Sequence, residues 1–439
     1  MNKATLIKGI LILAILFAAI TLLRNPNKER MALQRLGGDA QGGMHTAAEG
    51  EKQNVVTLTP VTGYEAPVVV EEKIREGSQT PETLRQLTEQ REEAGLSEEK
   101  IAECMERQKG RYMYDTMDAS LRRLYAELYM ILSSHAENIL ISATDPSELQ
   151  VAFLCVFQDH PELYWIDGYS YRRFGNGGKV YISFSGKYTY SPGECRIWDK
   201  KLEDMLAGFM KELPRNADDY EKVRHCYEYI IWNTDYRVES KDNQNILSVL
   251  LNGESVCQGY AKAFQYLLEK LDVPCTMVVG KVYGGEGHAW NLVKIEGEWY
   301  YVDTTWGDAG YMSAGGAAAA QGSEINYNYL NVTRSEMEAS HTFDNVVIMP
   351  YCNATADNYF VREDRYFDRY DTEALQELFD EAGRGTERSV SFKCADHATF
   401  ERYAEELLDQ RRIFELLPKD SSSVDYTVDE ELNVFTFWF

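Results

Sequence analysis

Residues 288 to 306 of this 439-residue chain read HAWNLVKIEGEWYYVDTTW, and few folds accommodate that text. Two stretches that alternate large apolar side chains with polar ones flank Glu296-Gly297, a pair suited to a two-residue turn with glycine at positive φ. The pattern predicts an antiparallel hairpin in which Trp290 stands opposite Asp303 and His288 opposite Thr305. His288 and Asp303 are then diagonal neighbours on one face, close enough for side chains to bridge. A slip of one residue would put them on opposite faces.

The segment before the hairpin supplies a thiol. In SVCQGYAKAFQYLLEKL, residues 255–271, the side chains of Tyr260, Phe264, Leu267, Leu268 and Leu271 mark one helical face, with Ser255 at the expected N-cap. Cys257 falls in the first turn, where unpaired N–H groups and a partial positive charge favour thiolate over thiol. Asp272-Val273-Pro274 ends the helix, CTMVVGKV reads as an apolar strand, and the loop 283–287 delivers His288. In this arrangement Cys257 is a nucleophile, His288 takes its proton and later protonates the leaving group, and Asp303 fixes the imidazole. The Cys257 N–H would be one oxyanion donor, with Trp232 a candidate for the second and a core aromatic its plainer reading. The hairpin residues Trp290, Asn291, Trp299, Tyr300 and Trp306 read as packing, with Trp290 alone carrying a pocket as its second reading. Each triad residue alone has an ordinary structural reading, and it is their joint order and context that points to catalysis.

The phrases VCQGYAKAFQYLLEKLDVPC and GHAWNLVKIEGEWYYVDTTWGD resemble the bacterial transglutaminase-like superfamily over roughly residues 219 to 360. The resemblance implies an α+β, papain-like core with the nucleophile on a helix N-terminus packed on an antiparallel sheet, and Cys257, His288 and Asp303 as its triad. DHPELYWIDGYSY resembles a region that precedes this core in secreted members. Val256 stands where a glycine is frequent before the cysteine, and an alanine-rich insertion follows Trp306-Gly307-Asp308; neither removes a triad member.

Length and composition set the surroundings. A chain of 439 residues exceeds what one core usually serves. The formal charge of −25 repels phosphate backbones, which excludes nucleic acid as a natural partner. The eight cysteines include no C-x-x-C pair and no histidine at zinc-ligand spacing, so neither a metal site nor a disulfide framework is expected, nor any cofactor. Residues 1–23 form an apolar run broken by Lys8, read as a transmembrane signal anchor or signal peptide, with 24–78 a flexible tether and 79–112 a charged helical stalk in solvent. Further on, 113–214 reads as an N-terminal α+β domain, 215–370 as the catalytic core and 371–439 as a small α/β appendage. The run 313–324 reads as a mobile insertion without chemistry.

These readings lead to a cysteine-dependent acyl-transfer enzyme, a peptidase or amidase that hydrolyses peptide, protein or cell-wall amide bonds. It is expected at the cell membrane through its N-terminal helix with the catalytic region outside, or secreted. A protein-crosslinking transglutaminase and a non-catalytic envelope scaffold are the alternatives, and the oligomeric state stays open.

Overall fold

The computed structural model describes residues 34–37, 64–72, 81–176, 179–308, 325–385 and 388–439. The apolar run 1–23 and the insertion 313–324 lie outside them. Among the described residues no helix is long and apolar enough to cross a membrane. The chain divides into two units, one of residues 60–312 with 321–362, the other of 363–439 with stretches at 1–59 and 313–320.

The larger unit is α+β. Its central sheet is antiparallel, with strands in the order Glu298–Val302, Gly287–Ile295, Cys275–Val282 and His341–Phe343. The helix Cys257–Lys270 is buried from Cys257 through Leu268, because Tyr260, Phe264 and Leu267 pack on Val293, Ile295, Tyr300 and Val302 of the hairpin. Asn291 ties the two together from the strand side, its Nδ2 donating to the Ala261 carbonyl at 2.9 Å. Ser255 does not cap this helix. Val256 occupies the cap position in extended conformation without a side-chain bond. Ser255 turns inward, where its Oγ meets the Ser248 hydroxyl at 2.6 Å and donates to the Asn243 carbonyl at 3.0 Å.

A second sheet runs Val68–Glu71, Ile166–Asn176, Lys179–Tyr188, Ile139–Ile141. Its two long strands are antiparallel neighbours, paired as far as Asn176 with Lys179. The helix Ala119–Ser134 starts on an Asp118 cap and stops at His135, which takes a left-handed φ of 57°. The helix Pro192–Glu212 begins at a capping box of Ser191 and Glu194, two reciprocal bonds that satisfy orphan N–H groups.

The segment read as a solvated stalk is packed instead. Its helices Pro81–Glu93 and Glu98–Gln108 bury Leu87, Leu96, Ile101 and Cys104, and Arg91 pairs with the buried Glu127 at 2.6 Å. Sparse apolar residues among many charges hid this face. The tether likewise contains strands: Val68–Glu71 pairs in parallel with Ile166–Asn176, and in the smaller unit Gln34–Gly37 pairs with Ser423–Asp429.

Charged side chains join the helical layer to the core. Asp159, at the end of the helix Pro146–Asp159, accepts from the Thr276 hydroxyl at 2.8 Å and the Tyr125 hydroxyl at 3.0 Å. Arg111 pairs with Glu269 of the helix Cys257–Lys270 at 2.9 Å. Lys262, on that same helix, is buried with its ammonium 3.4 Å from the Phe157 ring centroid. Burial pushes Lys262 down to about 7 and Glu269, despite Arg111, up to about 7.

The smaller unit carries a five-stranded sheet ordered Gln34–Gly37, Ser423–Asp429, Val434–Trp438, Ser389–Cys394, Tyr366–Phe367. The helices Thr372–Arg384 and His397–Ala404 supply Leu375, Phe379, Phe400 and Tyr403 to its core. Its last strands are Ser423–Asp429 and Val434–Trp438, and Ile413–Leu416 forms a helical turn before them.

Candidate active site

The hairpin turn fixes the site. Glu296 and Gly297 both take positive φ, 49° and 92°, the two-residue geometry whose twist matches the strands. The register pairs Glu298 with Ile295 and Val302 with Asn291, so its continuation sets Asp303 opposite Trp290 as the sequence predicts. Where the strand ends, Asp303 caps the single turn Thr304–Gly307. Its Oδ1 accepts from the backbone N–H of Thr305 at 2.9 Å and of Trp306 at 3.1 Å. Its Oδ2 then faces His288, whose Nε2 lies 2.7 Å away.

A carboxylate only accepts, so His288 Nε2 carries the proton of that bond and Nδ1 is the ring's basic atom. Nδ1 makes no hydrogen bond that meets ordinary geometry, and Cys257 acts on the ring. Burial alone would lower the His288 imidazole, but Asp303 and Cys257 outweigh it and push it up to about 10. Burial would raise the Asp303 carboxyl, and His288 together with a second histidine holds it well below the usual carboxylate range. Cys257, His288 and Asp303 are each 0% exposed. The structure thus gathers all three sequence candidates at one place.

Three contributors escaped the sequence reading. His341, from the edge strand, brings its Nε2 to 3.0 Å from the same Asp303 Oδ2. Thirty-eight residues separate it from Asp303, and no spacing rule links a lone histidine in a short strand to a hairpin. Tyr64 lies within what read as tether. Its ring packs on Gly287, where a Cβ would stand 3.2 Å from Tyr64 Cδ1, and burial with the nearby Cys257 pushes its hydroxyl up to about 12. Gln244 holds this segment, its Oε1 accepting from the Glu65 N–H at 3.2 Å while its carbonyl accepts from Gln258 Nε2 at 2.9 Å. Tyr64 therefore stands beside the loop that delivers His288, within electrostatic reach of Cys257. Trp232 is half exposed on the helix Asp219–Asn233; the indoles beside His288 are Trp290 and Trp306, 6.0 and 6.2 Å from its ring.

His288, Asp303 and His341 offer ligand atoms within 4.8 Å of one another. Ligands sharing one tetrahedral ion would stand about 3.3 Å apart at ordinary metal–nitrogen distances, whereas the contacts to Asp303 Oδ2 are 2.7 and 3.0 Å. These are the spacings of hydrogen bonds.

Residues 209–304 match the model of the transglutaminase-like superfamily, so the chain carries a transglutaminase-like domain there. A stretch of 122 residues is 34% identical to kyphoscoliosis peptidase of Mus musculus and 30% identical to that of Homo sapiens. Each match covers 24% of this chain and 18% of the relative, so the chain spans under a fifth of those proteins. Among solved structures, a candidate cysteine protease from Cytophaga hutchinsonii aligns at 16% identity and a TM-score of 0.22 over 31% of this chain and 61% of its own.

Proposed function

We propose that the larger unit hydrolyses peptide or protein amide bonds through a thioester on Cys257. The observation that carries this reading is the 2.7 Å contact between His288 Nε2 and Asp303 Oδ2, which leaves Nδ1 as the base for a thiol at a helix start. His288 Nδ1 takes the thiol proton, the thiolate adds to the amide carbonyl carbon, and the first-turn N–H of Cys257 faces the oxygen that gains charge. The C–N bond then breaks as the imidazolium returns its proton to the leaving amine. A water molecule, deprotonated by the same nitrogen, opens the thioester and releases the acid. Asp303 stays ionised throughout, holding the ring and balancing its charge.

The test is hydrolysis of a peptide library by the full-length protein. Cys257→Ala should abolish turnover and remove the iodoacetamide adduct from that peptide. Undiminished hydrolysis by this variant would overturn the proposal.

A second acceptor is favoured by one feature. The triad is sealed among Trp290, Trp306 and Tyr329, and exclusion of water helps an amine compete for the thioester. Incorporation of a primary amine in excess of free acid would mark the enzyme as a crosslinking transglutaminase. The same proposal places the chain at a membrane through residues 1–23, whose apolar text supports an anchor. Release of the protein by alkaline carbonate would argue against it.

A further inference from the structure

We infer that His341 is a positioning residue of this site, a second imidazole that shares Asp303 Oδ2 with His288 and so sets how much of the carboxylate's charge His288 receives. This rests on the proposed role of Cys257, His288 and Asp303, and its test uses readouts that need no substrate.

The sheet brings the two histidines together. On the strand Cys275–Val282, Gly280 is the register partner of both His288 and Phe343, and the neighbouring Val282 is the partner of His341. The two histidines are thus diagonal across that strand, with a residue lacking a side chain between them. A Cβ at Gly280 would stand 2.7 Å from the Trp290 ring and 1.8 Å from the Thr342 carbonyl oxygen, so the space is used by neighbours rather than left empty. The imidazole centroids lie 5.4 Å apart. Trp290, at 4.9 Å, and Trp306, at 4.7 Å, flank the His341 ring.

Hydrogen-bond chemistry then assigns the protons. Asp303 only accepts, so His341 donates from Nε2. In the neutral ring Nδ1 must accept, and the Ser340 hydroxyl stands 2.8 Å from it. Asp303 therefore selects the Nε2–H tautomer, the Ser340 hydroxyl can donate to Nδ1, and the Tyr329 hydroxyl, 3.4 Å further on, extends the chain. Burial keeps the His341 ring below its usual range, hence uncharged, even beside Asp303. The groups facing it are Asp303, His288, Ser340 and the rings of Trp290, Trp306 and Tyr329. Asp303 Oδ1 already serves two backbone N–H groups. The division of Oδ2 between two imidazoles is therefore the adjustable part of the carboxylate. A purely packing histidine would have no need of that oxygen.

The experiment compares the full-length wild type with His341→Phe and His341→Gln, following iodoacetamide alkylation at the Cys257 peptide from pH 4 to 11. Loss of the second donor should give His288 the whole of Oδ2 and raise the upper limb of the profile by about one pH unit. His341→Gln, which retains an N–H donor, should bring it back toward the wild-type position. Superimposable profiles for folded wild type and His341→Phe would overturn the inference. Should both variants fail to fold, side-chain 15N resonances of histidine-labelled wild type decide it. A neutral His341 ring that is the Nε2–H tautomer at pH 7 to 9 supports the inference, and one that carries its proton on Nδ1 or is charged there refutes it. A shifted profile in a protein that hydrolyses nothing would sink the proposed reaction while leaving this inference intact.

Discussion

The helix Cys257–Lys270 has ionisable groups buried at both its ends, and they behave in opposite ways. At its start, Asp303 and His288 form a close pair whose protonation tendencies are driven apart, imidazole up and carboxyl down. Farther along, Lys262 and Glu269 are both drawn toward about 7. Burial is common to the two regions. The difference is which charges face each group. Asp303 receives four donors, two from backbone and two from imidazoles, whereas Lys262 has an aromatic face, and Glu269 accepts from Arg111 and Gln265 yet stands near a second carboxylate, Glu162. Burial removes charge unless opposite charge and hydrogen bonds outweigh it, and at Asp303 and His288 they do.

The largest effect that could break this comparison is at the retained charge. Asp303→Ala should destabilise the protein by about 3–5 kcal/mol in urea unfolding, because it strands two buried imidazoles; a loss below about 1 kcal/mol would mean the pair is not held as described. Arg111→Met should cost less, about 1–3 kcal/mol, because Glu269 can protonate. Its cost should be smaller at pH 5 than at pH 8.

The pH dependence sharpens the contrast further. His288, raised from 6.5 to about 10, binds more protons folded than unfolded across that window, so its stabilisation is complete below 6.5 and is lost as pH climbs toward 10. Lys262, lowered from 10.5 to about 7, has the opposite sign, and stability rises with pH between those values. The two offset each other in the wild type. Lys262→Met should raise the melting temperature at pH 7 by about 2–8 °C and expose a decline toward pH 10 that the wild type masks; a flat Lys262→Met profile would count against the His288 assignment. The smallest expected change is in stability on Tyr64→Gly, under about 1 kcal/mol. Alkylation of Cys257 should nonetheless rise severalfold if Tyr64 screens the thiol, and unchanged alkylation would show that it does not.

Local pattern carried most of the site. Turn chemistry at Glu296-Gly297 determined the hairpin register, and apolar spacing determined the face of the helix beneath it, so His288 and Asp303 could be placed from text alone. His341 could not, because its position depends on an edge strand joining the sheet at Val282 after a long excursion. Tyr64 was hidden by polar, aperiodic surroundings that read as tether. The same limit explains the packed helices over 81–108: a stripe as thin as Leu87, Ile101 and Cys104 reveals its partner only in the folded protein. Ser255 was misread for a different reason, since a cap and an inward hydroxyl bond compete for the same side chain.

All eight cysteines are buried and none is in a disulfide. In the native protein, then, a thiol reagent can react no faster than the molecule opens. The order in which the eight sulfurs become labelled would map which parts loosen first, and Cys257 labelling ahead of the others would show that the cleft opens while the fold stays closed.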